Sequence, residues 1–322
     1  MPAEFSRHER TVICWPARPE IYGMRLAEAQ TAHAALANTI SGYEPVTMIA
    51  NPRDESAART ACSAGVDIVA LEIDDAWFRD SGPNYVIEKQ ELIATCWIFN
   101  GWGEKFLPFD KDATIASRWA RHAGHKTRSV EMVLEGGSIN VDGAGTLITT
   151  EQCLLHPNRN PSMSREQISE MLCRELGQTR VVWLPHGLAL DDDTDGHVDN
   201  VAAFVGPNEA IMQGCNDTNE EDHLRCATNI SVAKNAGLTV HEIPVLPFVE
   251  TGSIRAAVPY LNFYVCNNAV IVPVCGHEAD EEMLALLGEF IPGRDIVGLQ
   301  IGQILAHGGG GIHCITQQVP AV

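Results

Sequence analysis

Basic residues are scarce in this chain of 322 residues: 22 Lys and Arg stand against 42 Asp and Glu, a formal charge of −20. That balance argues against a surface built to hold nucleic-acid phosphates or anionic lipid, and it favours a cationic partner. No apolar run approaches the ~18 residues of a membrane-spanning helix. The opening MPAEFSRHER is polar and charged, without the apolar stretch of a secretory leader, so the expected setting is cytoplasmic. The ten cysteines include no C-x-x-C pair, which fits neither a disulfide framework nor a thiolate zinc site. Most of them read as small buried apolar residues. There is no low-complexity segment and no long Pro, Ser or Gly linker to mark a domain boundary.

What is present is a repeated order of elements. From Glu135 an apolar alternation through Ile139 and Val141 meets a turn at Asp142-Gly143-Ala144-Gly145, then the β-rich stretch Thr146–Thr150, which together read as a hairpin. Ser164, with Gln167 three residues on, opens a helix whose apolar face is Ile168, Met171, Leu172 and Leu176. Gly177 ends it, and Arg180–Leu184 reads as a buried strand. The unit is strand, strand, helix, strand.

The same order returns at 201–245, at 262–299 and, earlier, at 81–122. A fifth copy is expected from the N-terminal strand at 11–14, a helix near 24–40 and a strand at 46–50, completed by the C-terminal segment. A repeat of about 50 to 65 residues points to a propeller or solenoid before it points to separate domains. Five units closing on themselves make one α/β ring around a central cleft.

Polar clusters recur at this spacing: residues 74–80 with Asp80, Glu135-Gly136-Gly137-Ser138, Asp195-Gly196-His197-Val198-Asp199-Asn200, and four glycines leading through Ile312-His313 to Cys314. The gaps from Asp80 to Glu135 to His197 are 55 and 62 residues, and the next, to Cys314, is 117, about two repeats. A thiol with a free pKa of ~8.5 needs an imidazolium or a field of backbone N–H groups to ionise near neutral pH, and the glycines permit such a field. A core cysteine after a tight turn is the plainer reading. An extended His197-x-Asp199 would present both side chains to one face, although a lone histidine is more often a solvated loop residue. Asp195, His197 and Asp199 lack a second histidine for a metal site. Asp80 and Glu135, each alone, read as turn or helix caps. Together, a thiol, an imidazole and three carboxylates are what guanidinium chemistry requires.

The same stretches resemble the agmatine deiminases, within the guanidine-modifying superfamily called penteins. The matching motifs are Trp77-Phe78-Arg79-Asp80-Ser81-Gly82-Pro83, Leu134-Glu135-Gly136-Gly137-Ser138 with Asp142-Gly143, residues 149–154 leading to Asn158-Arg159-Asn160-Pro161, residues 195–200, Asn262-Phe263-Tyr264 and residues 312–318. Cys14-Trp15-Pro16 looks like the family's opening strand. The resemblance implies a pentein-type five-bladed α/β propeller of ββαβ repeats with pseudo-five-fold symmetry, a single catalytic domain over 1–322. It implies hydrolysis of agmatine to N-carbamoylputrescine and ammonia through an amidino-cysteine, in polyamine metabolism. By position Cys314 would be the nucleophile, His197 the proton shuttle, and Asp80, Glu135 and Asp199 the guanidinium-binding carboxylates, with Trp77 and Gly310 beside the substrate. No metal or organic cofactor is implied, nor any nucleic-acid or membrane partner; a homodimer or higher homo-oligomer is in keeping with it.

Two departures bear on the substrate. The family usually has Gly-Gly-Asn before Ile-His-Cys where this chain has Gly310-Gly311, and residues 17–23 lack the aromatic and basic pattern of agmatine enzymes. The alternatives are another guanidine such as arginine or an N-substituted guanidine, amidino transfer to an amine, or an inactive guanidine-binding protein. A papain-like peptidase fits poorly, because the cysteine lies eight residues from the C-terminus with its histidine upstream.

Overall fold

A computed structural model of the chain describes residues 1–251 and 254–322. Why the chain bends into a ring is visible in one unit. Ile139–Val141 and Thr146–Thr150 pair antiparallel across the glycine turn, with Asp142 accepting from the amides of Ala144 and Thr146. The chain then crosses over through the helix Arg165–Leu176 and returns as Arg180–Leu184, parallel to Thr146–Thr150. The helix starts at the expected capping box, Ser164 with Gln167, and ends at Gly177, whose φ of 66° is left-handed. Its inward face, Ile168, Leu172 and Leu176, is wholly buried, worth roughly 1.5–3 kcal/mol per side chain.

Four more units repeat the pattern. Asn84–Glu88, Glu91–Ile98 and Lys126–Val133 form one sheet around the helix Asp112–His122. Ala202–Gly206, Glu209–Gln213 and Thr239–Ile243 form the next, with Glu221–Asn235. Tyr264–Cys266, Ala269–Pro273 and Asp295–Leu299 follow, with Asp280–Phe290. The fifth unit is assembled from both ends of the chain. Thr316–Pro320 pairs antiparallel with His8–Cys14, and Val46–Ala50 adds in parallel after the helix Leu26–Ile40. This closure, with Ile13 opposite Thr316 and His8 opposite Pro320, makes the ring the repeat foretold.

Neighbouring units are stitched by side chains at their seams. Asn140 accepts from the Phe204 amide, Asp142 from the Asn208 amide, and Thr11 shares a hydrogen bond with Tyr264. Four of the described strands were not anticipated: Val66–Ala70, Lys126–Val133 and the antiparallel pair Phe248–Thr251 with Ile254–Ala257. The first two are third or fourth strands at the rim of their sheets, half exposed, so the apolar alternation that announces a strand is weak in them.

A one-turn helix sits in corresponding places, where a unit's opening strand begins: Phe78–Ser81, Gly136–Ser138, Val198–Asn200 and His313–Ile315. These turns carry or directly follow the four polar clusters, and they point to the ring's centre.

Candidate active site

The segment around His197 corrects the sequence reading in its geometry. Residues 198–200 form a 3-10 turn rather than a strand, with His197 itself extended just before it. A turn of three residues per revolution does not put residues two apart on one face. Both side chains still face Gly137, and Asp191 and Thr194 anchor the His197 amide while Asp191 accepts from Asn200, fixing the entry into the turn.

Gly137 marks the centre of the site. A Cβ on it would lie 2.7 Å from His197 Nδ1, 2.8 Å from Asp80 Oδ1 and 2.9 Å from Asp199 Oδ2. Three functional groups from two units thus converge on the space one methyl would fill on the glycine of a third. Asp199 Oδ2 is also 3.5 Å from Cys314 Sγ, so it spans the gap between imidazole and thiol. On the far side Glu135 Oε2 lies 4.0 Å from His197 Nε2. All five residues are buried.

Each carboxylate is anchored, and two of the three keep one oxygen free. Asp80 accepts from the Gly137 amide at 2.9 Å and from Trp102 Nε1 at 2.9 Å. Glu135 Oε1 accepts from Arg159 Nε at 2.7 Å. Asp199 Oδ2 bonds His313 Nδ1 at 2.9 Å. Glu135 Oε2, Asp199 Oδ1 and both ring nitrogens of His197 are buried without a hydrogen-bond partner among the described residues. Unpartnered buried polar atoms cost about 1–3 kcal/mol each, so a ligand rich in N–H donors would relieve the site. A guanidinium is such a ligand, planar and armed with donors that pair with carboxylates in forks.

The charges follow from burial and neighbours. Burial, with Asp199 and Glu135 nearby, pushes Asp80 up to about 8. Burial also raises Glu135, although Arg159 opposes it. Burial pushes His197 down to about 3, leaving a neutral imidazole. The Cys314 thiol is driven well above its ordinary value by burial and by Asp199 and Asp80; the Gly311 amide and Asn262 pull the other way. Burial disfavours ionised Asp199, but the His313 imidazole outweighs it and holds Asp199 below the usual carboxylate range. His313 is raised in turn: burial and Arg79 oppose its charge, and Glu4 and Asp199, at 2.9 Å on either side, prevail. Arg79 closes this buried chain with a 2.8 Å pair to Glu4. The imidazolium expected to ionise the thiol is therefore not His197 in the empty site.

A narrow cleft leads in to Cys314 and Asp80. Trp77, Trp102 and Phe106 form aromatic walls, Ile21 sits among them, and Asp193 and Thr194 stand at its side. Trp102 holds φ 55°, ψ 43°, a left-handed conformation uncommon for an aromatic residue, and its indole N–H is the donor that fixes Asp80. Gly310 packs against Trp77, where a Cβ would come within 2.5 Å of the ring; it lines a neighbouring cavity and not this cleft. Gly311, the position of the departure from the family pattern, faces Asn262, whose Oδ1 would be 2.3 Å from a Cβ there. Asn262 Nδ2 donates to Cys314 Sγ at 3.2 Å, so an amide already stands beside the sulfur.

Sequence reasoning did not single out Trp102, Arg159, Asn262, His313, Glu4 or Asp193 as site residues. Arg159, Asn262 and His313 lay inside motifs already quoted, and Trp102 stands between two glycines; Glu4 gave no local signal.

The chain is a guanidine-modifying enzyme on the pentein ring, a cysteine-dependent hydrolase of that class. The family model described as Porphyromonas-type peptidyl-arginine deiminase matches residues 1–320, and the chain belongs to that family. An agmatine deiminase of Stutzerimonas stutzeri is 40% identical over 352 aligned residues, covering 100% of this chain and 95% of that protein. The solved agmatine deiminase of Enterococcus faecalis, 32% identical, superposes with a TM-score of 0.94 over 99% of this chain and 95% of its own. A substrate-bound agmatine deiminase of C. jejuni, 27% identical, gives a TM-score of 0.93 over 100% of this chain and 96% of that one.

Proposed function

We propose that the chain, acting as one catalytic domain over 1–322, hydrolyses agmatine to N-carbamoylputrescine and ammonia with Cys314 as nucleophile and His197 as general acid and base. The observation that carries this reading is the set of unpartnered buried atoms of Glu135, Asp199 and His197 at the end of a cleft that reaches the Cys314 thiol. The relatives named above are agmatine deiminases, which supports the choice of guanidine.

In the empty site the thiol is neutral, His197 is neutral and Asp80 favours its protonated form near neutral pH. An arriving guanidinium brings the missing positive charge. It stabilises ionised Asp80 and Asp199 and lowers the cost of a thiolate, whose proton passes to His197. Sγ then bonds to the central carbon, which the carboxylates hold in line with it. His197 gives the proton to the leaving nitrogen, the C–N bond breaks and ammonia departs. The substrate's alkyl nitrogen stays on the carbon, so the intermediate is an N-substituted amidino-thioether. His197 next takes a proton from water as it attacks; the C–S bond breaks, and the ureido product leaves as the thiol is restored.

The far end of the substrate favours agmatine over arginine on electrostatic grounds. Its methylenes fit the walls formed by Trp77, Trp102 and Phe106, and its amine finds Asp193. Arginine would bring a carboxylate toward the acidic run 191–193. With ammonia release as the readout, agmatine is expected to outrun arginine, guanidinobutyrate and methylated guanidines; equal rates with arginine would contradict this account of the tail. Asp193→Asn is expected to raise KM for agmatine by about 2- to 5-fold with little change in kcat, because one ion pair at an exposed position is lost far from the reacting carbon. The ten cysteines are all free thiols, in keeping with a reducing, cytoplasmic setting.

Gly137→Ala tests the convergence of the three groups. The added methyl falls within 2.9 Å of each of them and must push at least one aside. A misplacement of about 1 Å at reacting groups costs ~10²-fold, so turnover should fall by that order while the circular dichroism spectrum is unchanged. Native turnover in this variant would mean that the groups do not act from these positions.

The acidic groups also set a pH dependence. Burial raises Asp80 and Asp112 to about 8. A carboxyl raised in the fold contributes stability that is full below its unfolded value, ~3.9, and is lost as pH climbs through the folded value. The Tm of the ligand-free chain should therefore fall as pH rises toward about 8. Agmatine bound to Cys314→Ala should tighten over the same window, since the cation favours ionised Asp80. Calorimetry and thermal melts read both; a rising Tm, or affinity that weakens with pH, would contradict the assignment.

A further inference from the structure

Cys153 is a buried thiol that the proposed reaction does not use, and it lies beside Glu135 and His197, two of the site residues with unpartnered atoms. Glu135, Cys153 and His197 each offer one ligand atom such that all three lie within 4.8 Å of one another, and all three residues are fully buried. Glu135 Oε2 and both His197 nitrogens have no hydrogen-bond partner among the described residues. Cys153 is held in place by its amide, which donates to Thr150 Oγ1 at 3.2 Å at the start of the turn Glu151–Leu154.

We propose that these three side chains form a binding site for a thiophilic divalent cation, Zn²⁺ in the first instance, and that its occupation blocks the guanidinium. The chemistry of the donors selects the ion. Thiolate, imidazole and carboxylate together suit Zn²⁺, whereas Mg²⁺ and Ca²⁺ take oxygen. Zn²⁺ sits ~2.0–2.3 Å from N, O and S ligands, so the trio must close by about 1 Å around it. One carboxylate and one thiolate cancel the ion's two charges, which a buried site needs. Three protein ligands leave a fourth position for water.

Binding displaces the thiol proton of Cys153 to solvent, and no electrons are transferred. Arg159 keeps Glu135 Oε1, so Oε2 alone turns to the metal. The ion and the substrate then compete for Glu135 and His197. That competition rests on the deiminase reading; binding of the metal to an inactive chain does not.

The test uses ZnCl2, and Co²⁺ as a spectroscopic probe, on the full chain. Cys314→Ala is expected to bind one Zn²⁺ as tightly as the native chain, and its Co²⁺ form should show a thiolate charge-transfer band. Cys153→Ala should retain agmatine turnover and lose Zn²⁺ affinity by ~100-fold or more, since even outer partners of a metal ligand carry 10–100-fold. Zn²⁺ inhibition of the native chain should be competitive with agmatine and nearly absent in Cys153→Ala. Undiminished inhibition in Cys153→Ala, or loss of Zn²⁺ binding in Cys314→Ala, would put the ion on the nucleophile and overturn the proposal. Should Cys153→Ala fail to fold, the Co²⁺ form of Cys314→Ala decides: a thiolate band displaced by agmatine supports the site, and its absence overturns it.

Discussion

Cys314→Ala and Cys314→Ser are expected to lower agmatine turnover by ~10⁴-fold or more while the chain still folds and still binds agmatine. The loss is so large because no other group supplies the attacking electron pair; removing a nucleophile that works as a unit with its base leaves only positioning and electrostatics. Serine does not substitute, since its hydroxyl is far harder to ionise than a thiol in a site that already penalises the thiolate. Binding survives because the cradle is made by Asp80, Glu135 and Asp199, whose anchors are Gly137 and Trp102, Arg159, and His313. Calorimetric titration with agmatine should give a dissociation constant within a few-fold of the native KM. Turnover within tenfold of native in either variant would remove Cys314 from the reaction.

His197→Ala should cost ~10³-fold or more, near the upper part of the range for a positioned acid and base, because the same imidazole serves both half-reactions. Burial keeps it neutral in the empty site, so it begins as a base and becomes an acid only after taking the thiol proton. His197→Asn separates this role from packing. Asparagine preserves most of the volume and cannot shuttle protons at neutral pH, so it should be as inactive as alanine while melting close to the native chain. Free imidazole should restore part of the alanine variant's rate. If His197→Asn turned over agmatine at a near-native rate with an unchanged pH profile, the shuttle would have to be another group.

The repeat was legible because its inner strands are short runs of β-branched and apolar residues bounded by glycine and asparagine turns, as in Thr146–Thr150 and Ala269–Pro273, both buried throughout. The rim strands Val66–Ala70 and Lys126–Val133 were hidden by their exposed residues. The polar clusters carrying Asp80, Glu135, His197 and Cys314 stood out by spacing, and closure of Thr316–Pro320 on His8–Cys14 gathers them. What spacing does not reveal is support from elsewhere in the chain. Glu4 reaches His313 across 309 residues of sequence, and Asn262 reaches Cys314 across 52. The pairing of Asn262 with Gly311 is likewise a fact of three dimensions: read along the chain, Gly311 is a missing side chain, and in the fold it is the space Asn262 occupies.

The claim on which the rest depends is that the Cys314 sulfur bonds to the guanidinium carbon. Rapid acid quench of the chain during agmatine turnover, followed by peptide mass spectrometry, reads this bond directly. The expected result is an adduct on the peptide bearing Cys314 with the mass of agmatine less ammonia. An adduct lacking the aminobutyl portion would indicate amidino transfer, and a chain that turns over agmatine with no adduct on Cys314, or with the adduct on Cys153, would contradict the account.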